Sequence, residues 1–214
     1  MSAVKPPSQD PSGTPTRRRG RPPTGAREAL VTAMRELLIE RDFDGLSTEE
    51  ILQRAGVSRG AMYHHFPGKV DLFRAAWQES ERENITRIAS AAAELDPQAG
   101  PFDQLIAGCR AYLREAGVPG ELQRIGLRQS RSVLGWEGWR DGAADLGIAV
   151  MRGGIQAAVD AHELRSADVE TTTHLLLSAL IEAALLISTD PRPETALSKV
   201  EPELVRLLES LHTD

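Results

Sequence analysis

Residues 47–69 read Ser-Thr-Glu-Glu-Ile-Leu-Gln-Arg-Ala-Gly-Val-Ser-Arg-Gly-Ala-Met-Tyr-His-His-Phe-Pro-Gly-Lys, and the punctuation in this stretch decides the fold. Ser47 stands where a helix N-cap is wanted, and Glu50, three residues on, completes a capping box. Ile51, Leu52 and Ala55 give that helix an apolar side, and Gly56 suits the left-handed residue that closes it. Ser58 is a second N-cap, with Val57 before it able to staple against Met62. The second helix is expected from Arg59 to about Phe66, where Pro67-Gly68 stops it. Two short capped helices around a glycine-containing turn form a helix-turn-helix unit.

The second helix is too short for a core helix. Met62 and Phe66 lie four apart and can face inward, while Arg59 with Tyr63 and Gly60 with His64 pair on the other side. A helix in a DNA major groove needs such a face: an arginine that can fork onto guanine, small residues for close approach, and donors for phosphates. A helical hairpin with a solvated polar face would carry the same pattern.

The longer run Ser-Arg-Gly-Ala-Met-Tyr-His-His-Phe-Pro-Gly-Lys (58–69), continued by Val70-Asp71-Leu72-Phe73, resembles the TetR family of bacterial transcriptional regulators. The resemblance covers about residues 20–75. A shorter stretch, Val133 to Arg140, is similar to a segment in the ligand domain of one actinobacterial subgroup of that family. The resemblance implies an all-α protein with an N-terminal three-helix DNA-binding domain and a larger C-terminal helical domain for effector binding and dimerisation. It implies a homodimer through the last two helices and a near-palindromic double-stranded DNA operator. An unidentified small-molecule effector would release a repressor from that operator. The DNA-binding set would be Arg17, Arg18, Arg19, Arg21, Thr48, Ser58, Arg59, Gly60, Ala61, Tyr63, His64, His65 and Lys69.

The chain has 214 residues, 41% of them hydrophobic, enough for a core; few are aromatic, which favours helices over sheets. One cysteine excludes a disulfide framework. No leader is recognisable at the front, and the longest apolar stretch, Leu175–Ile187, reads as too short to span a bilayer, so a cytoplasmic protein without a membrane partner is expected. The net charge of −6 is unevenly placed: residues 1–80 hold 12 Lys/Arg against 10 Asp/Glu, and the first 23 residues hold five against one. That asymmetry fits a DNA-binding head on an acidic body.

Three units follow. Residues 1–23 are a Pro- and Ser-rich basic arm, expected to be disordered, whose Arg17-Arg18-Arg19-Gly20-Arg21-Pro22-Pro23 could lie in a narrow minor groove or be a solvated tail. Residues 24–72 are the helix-turn-helix domain, with a first helix from Thr24 or Gly25 to about Arg41 whose Ala26, Leu30, Met34, Leu37 and Leu38 follow helical spacing. Lys69, opening the next helix, could meet a phosphate, and Val70, Phe73, Ala76 and Trp77 are expected on that helix's inward face. Residues 73–214 are the body, with helices expected to about Leu95 and then at 101–117, 119–133, 137–162, 168–189 and 194–211, broken at Pro, Gly and Asp clusters including Gly135.

No nucleophile elbow, phosphate loop or metal spacing is visible, so no cofactor, no metal and no enzymatic activity are expected. A helical enzyme and a protein-binding adaptor are the competing classes. Cys109 follows the apolar pattern of Leu105, Ile106 and Tyr112 and reads as a buried structural thiol. Thr171, His174, Ser178 and Glu182 make a polar stripe on an otherwise apolar helix, a pocket contact, a seam between subunits or a solvent-facing edge; Glu182, flanked by Ile181, Ala183 and Ala184, is expected to be at least partly buried. A cavity among the central helices is expected to use Tyr112, Trp136 and Trp139 as walls. Its polar anchors would be Glu182, His174 or an arginine among Arg124, Arg128 and Arg131, which lie at mutual helical spacing and would otherwise be a solvated face.

Overall fold

The computed structural model describes residues 25–95, 98–166 and 168–213, without the side chains of 93–95 and 141–146. Among the described residues there are eight α-helices: α1 Ala26–Glu40, α2 Thr48–Ala55, α3 Arg59–His65, α4 Lys69–Leu95, α5 Pro101–Ala116, α6 Ser130–Asp160, α7 Val169–Thr189 and α8 Pro193–Glu209. A 3-10 turn, Phe43–Gly45, joins α1 to α2, and a π-helical segment, Leu122–Gln129, leads into α6. No strand occurs among the described residues beyond the isolated bridge Leu164–His212.

The head forms as its caps dictate. Ser47 Oγ accepts from the Glu50 amide at 3.2 Å, and Ser58 Oγ accepts from the Ala61 amide at 3.2 Å. Gly56 closes α2 at φ 66° and ψ 29°, a region costly for any residue with a Cβ. α1 lays Leu30, Met34, Leu37 and Leu38 against Ile51, Met62 and Phe66. The Phe43 and Phe73 rings meet edge to face at 5.2 Å.

The head's core does not stop at residue 72. Phe73, Ala76 and Trp77 of α4 belong to it, and so does Ile125, which reaches in from the π-helical segment. The same helix continues into the body, where Ile88 joins the second core with Leu113, Ile155, Leu180 and Ala184. Val70, expected on the inner face of α4, is exposed in its first turn.

Two departures from sequence expectation lie around Gly135. The 119–133 helix is π-helical over Leu122–Gln129, and its backbone runs on through Ser130 into α6. The break at Gly135 is a kink at φ 70° and ψ 174°. Widening to i→i+5 loosens the helical carbonyls, and the Ser130 hydroxyl donates to the Gly126 carbonyl, which holds the widened turn.

α7 falls where a helix was expected, at 168–189. As a whole it has 21 residues and is long and apolar enough, by length and composition, to cross a membrane, a test that a core helix also passes. Its inner side, Leu176, Leu180, Ala183, Ala184 and Ile187, builds the body core. Among its remaining positions, Leu175 and Leu186 are exposed, as is Leu207 on neighbouring α8.

Ile125 is fully buried in the head core although its chain neighbours belong to the body. Ile125→Ala should destabilise the protein by about 2–5 kcal/mol, the range for truncating a buried branched side chain. Urea unfolding checks this: a lower midpoint with an unchanged slope is expected.

Candidate DNA interface and effector cavity

α3 separates its residues by face. Ala61 and Met62 are buried, and Arg59, Gly60, Tyr63 and His64 are exposed together on the outer side. Arg59 is paired with exposed Glu49 of α2. Such a surface pair contributes about 0–1 kcal/mol, so exchanging it for another anion or a base edge costs little.

The other residues of the expected DNA-binding set fall elsewhere. Ala61 faces the head core, and His65 turns partly inward with its Nε2 buried and unpartnered. Ser58 is engaged as the α3 cap, and Thr48 is half-buried in the first turn of α2. Lys69 does not reach out as expected. Its ammonium donates to the Phe43 and Leu46 carbonyls at 3.0 and 2.8 Å and lies 4.1 Å from the Phe43 ring centre, so it secures the 3-10 turn. Arg17, Arg18, Arg19 and Arg21 lie outside the described residues.

In the body, α4, α5, α6, α7 and the π-helical segment line a partly open cavity of about 560 Å³. That is within the common range for small-molecule sites. Tyr112 and Trp139 stand in its wall as expected from sequence. The other four candidates do not line it. Trp136 is 62% exposed. Arg128 donates to the Ser188 carbonyl. His174 and Glu182 are exposed on the outer face of α7, where His174 pairs with Glu170 at 3.3 Å. Glu182 was expected to be partly buried; α7 instead turns its alanines inward and its polar stripe outward.

Of the charged groups in the cavity wall, Arg131 is one of the three arginines considered from sequence, whereas Glu81 was missed. Glu81 of α4 and Arg131 of α6 both line it. The Arg131 guanidinium stacks 4.3 Å from the Trp139 ring centre, a cation–π contact. Glu81 Oε1 and the Trp77 indole nitrogen are both buried without a hydrogen-bond partner. Burial pushes the Glu81 carboxyl up to about 7, and the nearby indole N–H offsets only part of that. The residue is half-buried by accessible area yet lies deep in the body, so its free surface belongs to the cavity. Burial also raises the Tyr112 hydroxyl, with Glu81 adding and Arg131 opposing, and pushes the Cys109 thiol up to about 12. Cys109 is thus a buried, inert wall residue. Among the described residues, no group of three His, Cys, Asp or Glu could hold a metal ion.

The family model described as "Bacterial regulatory proteins, tetR family" matches residues 30–76, and that described as "Tetracyclin repressor-like, C-terminal domain" matches residues 102–211. An HTH-type transcriptional repressor, AcnR of Corynebacterium glutamicum, is 32% identical over 75 residues, 35% of this chain and 38% of that protein. An uncharacterised HTH-type transcriptional regulator of Mycobacterium tuberculosis is 29% identical over 86% of this chain and 94% of its own length. The crystal structure of a TetR-family transcriptional regulator from Pectobacterium atrosepticum superposes with a TM-score of 0.75. It is 28% identical, over 88% of this chain and 94% of that one.

The Glu81 shift has a consequence for stability. Its folded value of about 7 exceeds its ordinary 4.5, so between these values the folded protein binds more protons than the unfolded one. This group's contribution is fully present below pH 4.5 and is lost as pH rises through 7. Glu81→Gln removes the titration. The stability of the variant relative to the parent, from urea unfolding at pH 5, 6, 7 and 8, should therefore rise with pH.

Proposed function

The chain belongs to the TetR family of bacterial transcriptional regulators, DNA-binding proteins that act as dimers on operators. On that premise we propose that it is a repressor whose helix-turn-helix leaves its operator when a small molecule fills the body cavity. One observation carries this reading: the wall of the cavity is also the floor of the head. Trp77 belongs to the head core and lines the cavity, Trp139 packs on that core and lines the cavity, and Gly126 and Leu127 of the wall follow directly on Ile125 of the head core. A molecule that reshapes the cavity therefore presses on residues that seat the head. It can shift the DNA-binding equilibrium only by its differential affinity for the two arrangements.

At the operator, Arg59 is the base reader, with Gly60 allowing close approach and Tyr63 and His64 positioned for phosphate or base contacts. The four arginines at 17, 18, 19 and 21, which precede the helix-turn-helix in the sequence, would add a cationic arm to the DNA contact. The dimer forms through α7 and α8, whose exposed Leu175, Leu186 and Leu207 provide the apolar surface that a second copy would cover. Ser178, His174 and Glu182 form the polar part of that seam. Two heads related by a two-fold axis then meet half-sites about 34–36 Å apart, or a multiple of it.

Mobility shifts against DNA flanking the gene test the reading. Arg59→Ala should weaken specific binding by about 1–3 kcal/mol and relax preference at one or two positions, if the contact is a bidentate guanine pair. Equal losses on operator and random DNA would remove Arg59 from base reading. For the dimer, Leu186→Glu should shift sedimentation from dimer to monomer and abolish operator binding while the helical signal persists. A dimer that survives this change would move the interface away from α7.

A further inference from the structure

We propose that Glu81 is the polar anchor of the cavity and that it selects an apolar effector carrying a protonated amine. The inference rests on the reading of the cavity as the effector site and names the chemical class it takes. Carboxylates that stabilise a fold are normally paired or solvated. Glu81 has no such pairing among the described residues: it lies deep in the body, Oε1 accepts no hydrogen bond, and no Lys or Arg is ion-paired to it, although both neighbouring acids on α4 have partners. Glu79 pairs with Arg82 and Glu83 with Arg35, so the charged run 79–83 is satisfied except at the residue that points inward.

The surroundings are shaped to this carboxyl. Gly126 faces it from the π-helical segment, and a Cβ at that position would collide with Glu81 Oε1. A glycine in a widened turn, held by Ser130, thus leaves room where the carboxyl sits. Around it the wall is apolar, with Ile85, Leu105, Leu127 and Leu180 supplying area for a hydrophobic body. The raised affinity of this carboxyl for its proton agrees: without a ligand it is stored partly protonated, and a bound cation would release the proton.

Arg131 is the competing pole, and it favours an anionic ligand. Its charge is already placed over the Trp139 ring, 4.3 Å from the ring centre. The remaining lining cation, Arg82, is exposed and turned to Glu79. Of the charged groups in the cavity wall, the buried one that lacks an ion-pair partner among the described residues is the acid, so the ligand that gains most is one that donates to it.

Three probes with one apolar body separate these poles: 1-naphthylmethylamine, 1-naphthalenemethanol and 1-naphthoate, titrated calorimetrically into the full-length protein at pH 7. The amine should bind at least tenfold tighter than the alcohol and the acid. Its heat should also differ between phosphate and Tris buffers as proton release requires. Glu81→Gln should bring the amine to the level of the alcohol, leave the alcohol within about threefold, and abolish the buffer dependence. Gly126→Ala, which displaces the carboxyl without removing it, should weaken the amine selectively. Tightest binding by naphthoate, an amine preference that survives in Glu81→Gln, or failure of all three to bind would each overturn the inference. A mobility shift with the amine keeps the two readings apart. Glu81-dependent binding that leaves the operator complex intact would support the ligand class and refute release. Release that is equal in Glu81→Gln would do the reverse.

Discussion

The eight residues Leu122–Gln129 hold the two cores to each other, and the rest of the molecule depends on that seat. Ile125 is buried in the head. Leu122 and Leu127 are buried in the body. Gln129, itself buried, accepts from the Phe43 amide at 2.8 Å and donates to the Leu38 carbonyl at 3.4 Å, so it satisfies the backbone where α1 ends and the 3-10 turn begins. Just before the segment, Glu121 takes the Arg35 guanidinium of α1, which also reaches Glu83 of α4. At the body end, Gln123 and Arg128 both donate to the Ser188 carbonyl at the close of α7. An α-helix turns by about 100° per residue and the wider π-helix by less. In the π-helical segment Ile125 faces the head, and Gly126 and Leu127, the next two residues, line the cavity.

How legible this was in the sequence depended on how local the cause was. The caps Ser47 and Ser58 and the left-handed Gly56 act within four residues of themselves, and they were readable. So were the periodic core residues of α1 and the outward set Arg59, Gly60, Tyr63 and His64. Lys69 was not: its partners are the carbonyls of Phe43 and Leu46, more than twenty residues back, and only the tertiary fold shows that it closes a turn. The π-helical segment carries no local signature that separates it from an ordinary helix.

The body shows the same limit through polarity. Glu182, set among Ile181, Ala183 and Ala184, looked buried because α7 is apolar on nearly every side. Periodicity cannot say which apolar side meets the body and which is exposed. Glu81 failed in the opposite direction. It stands in Gln-Glu-Ser-Glu-Arg-Glu-Asn, residues 78–84, a run that reads as a solvated face, and its neighbours do pair at the surface. A helix phase carried forward from Phe73 and Trp77, four apart, places Glu81 next on the inward side, and that was the signal available.

Geometry also bounds how large a change the proposed release needs. α4 has 27 residues, so at about 1.5 Å per residue it is a lever of about 40 Å running from the head into the body. A tilt of about 5° about its far end displaces the head end by about 3.5 Å, close to the rise of one base pair. In a two-fold dimer the two displacements add, so half-sites set for about 34–36 Å would be missed by about two base pairs. Glu81 sits only four residues beyond Trp77 on this helix, about 6 Å along its axis. A ligand that draws on that carboxyl therefore acts on the lever beside the head's own core, and no longer chain of intermediaries is required.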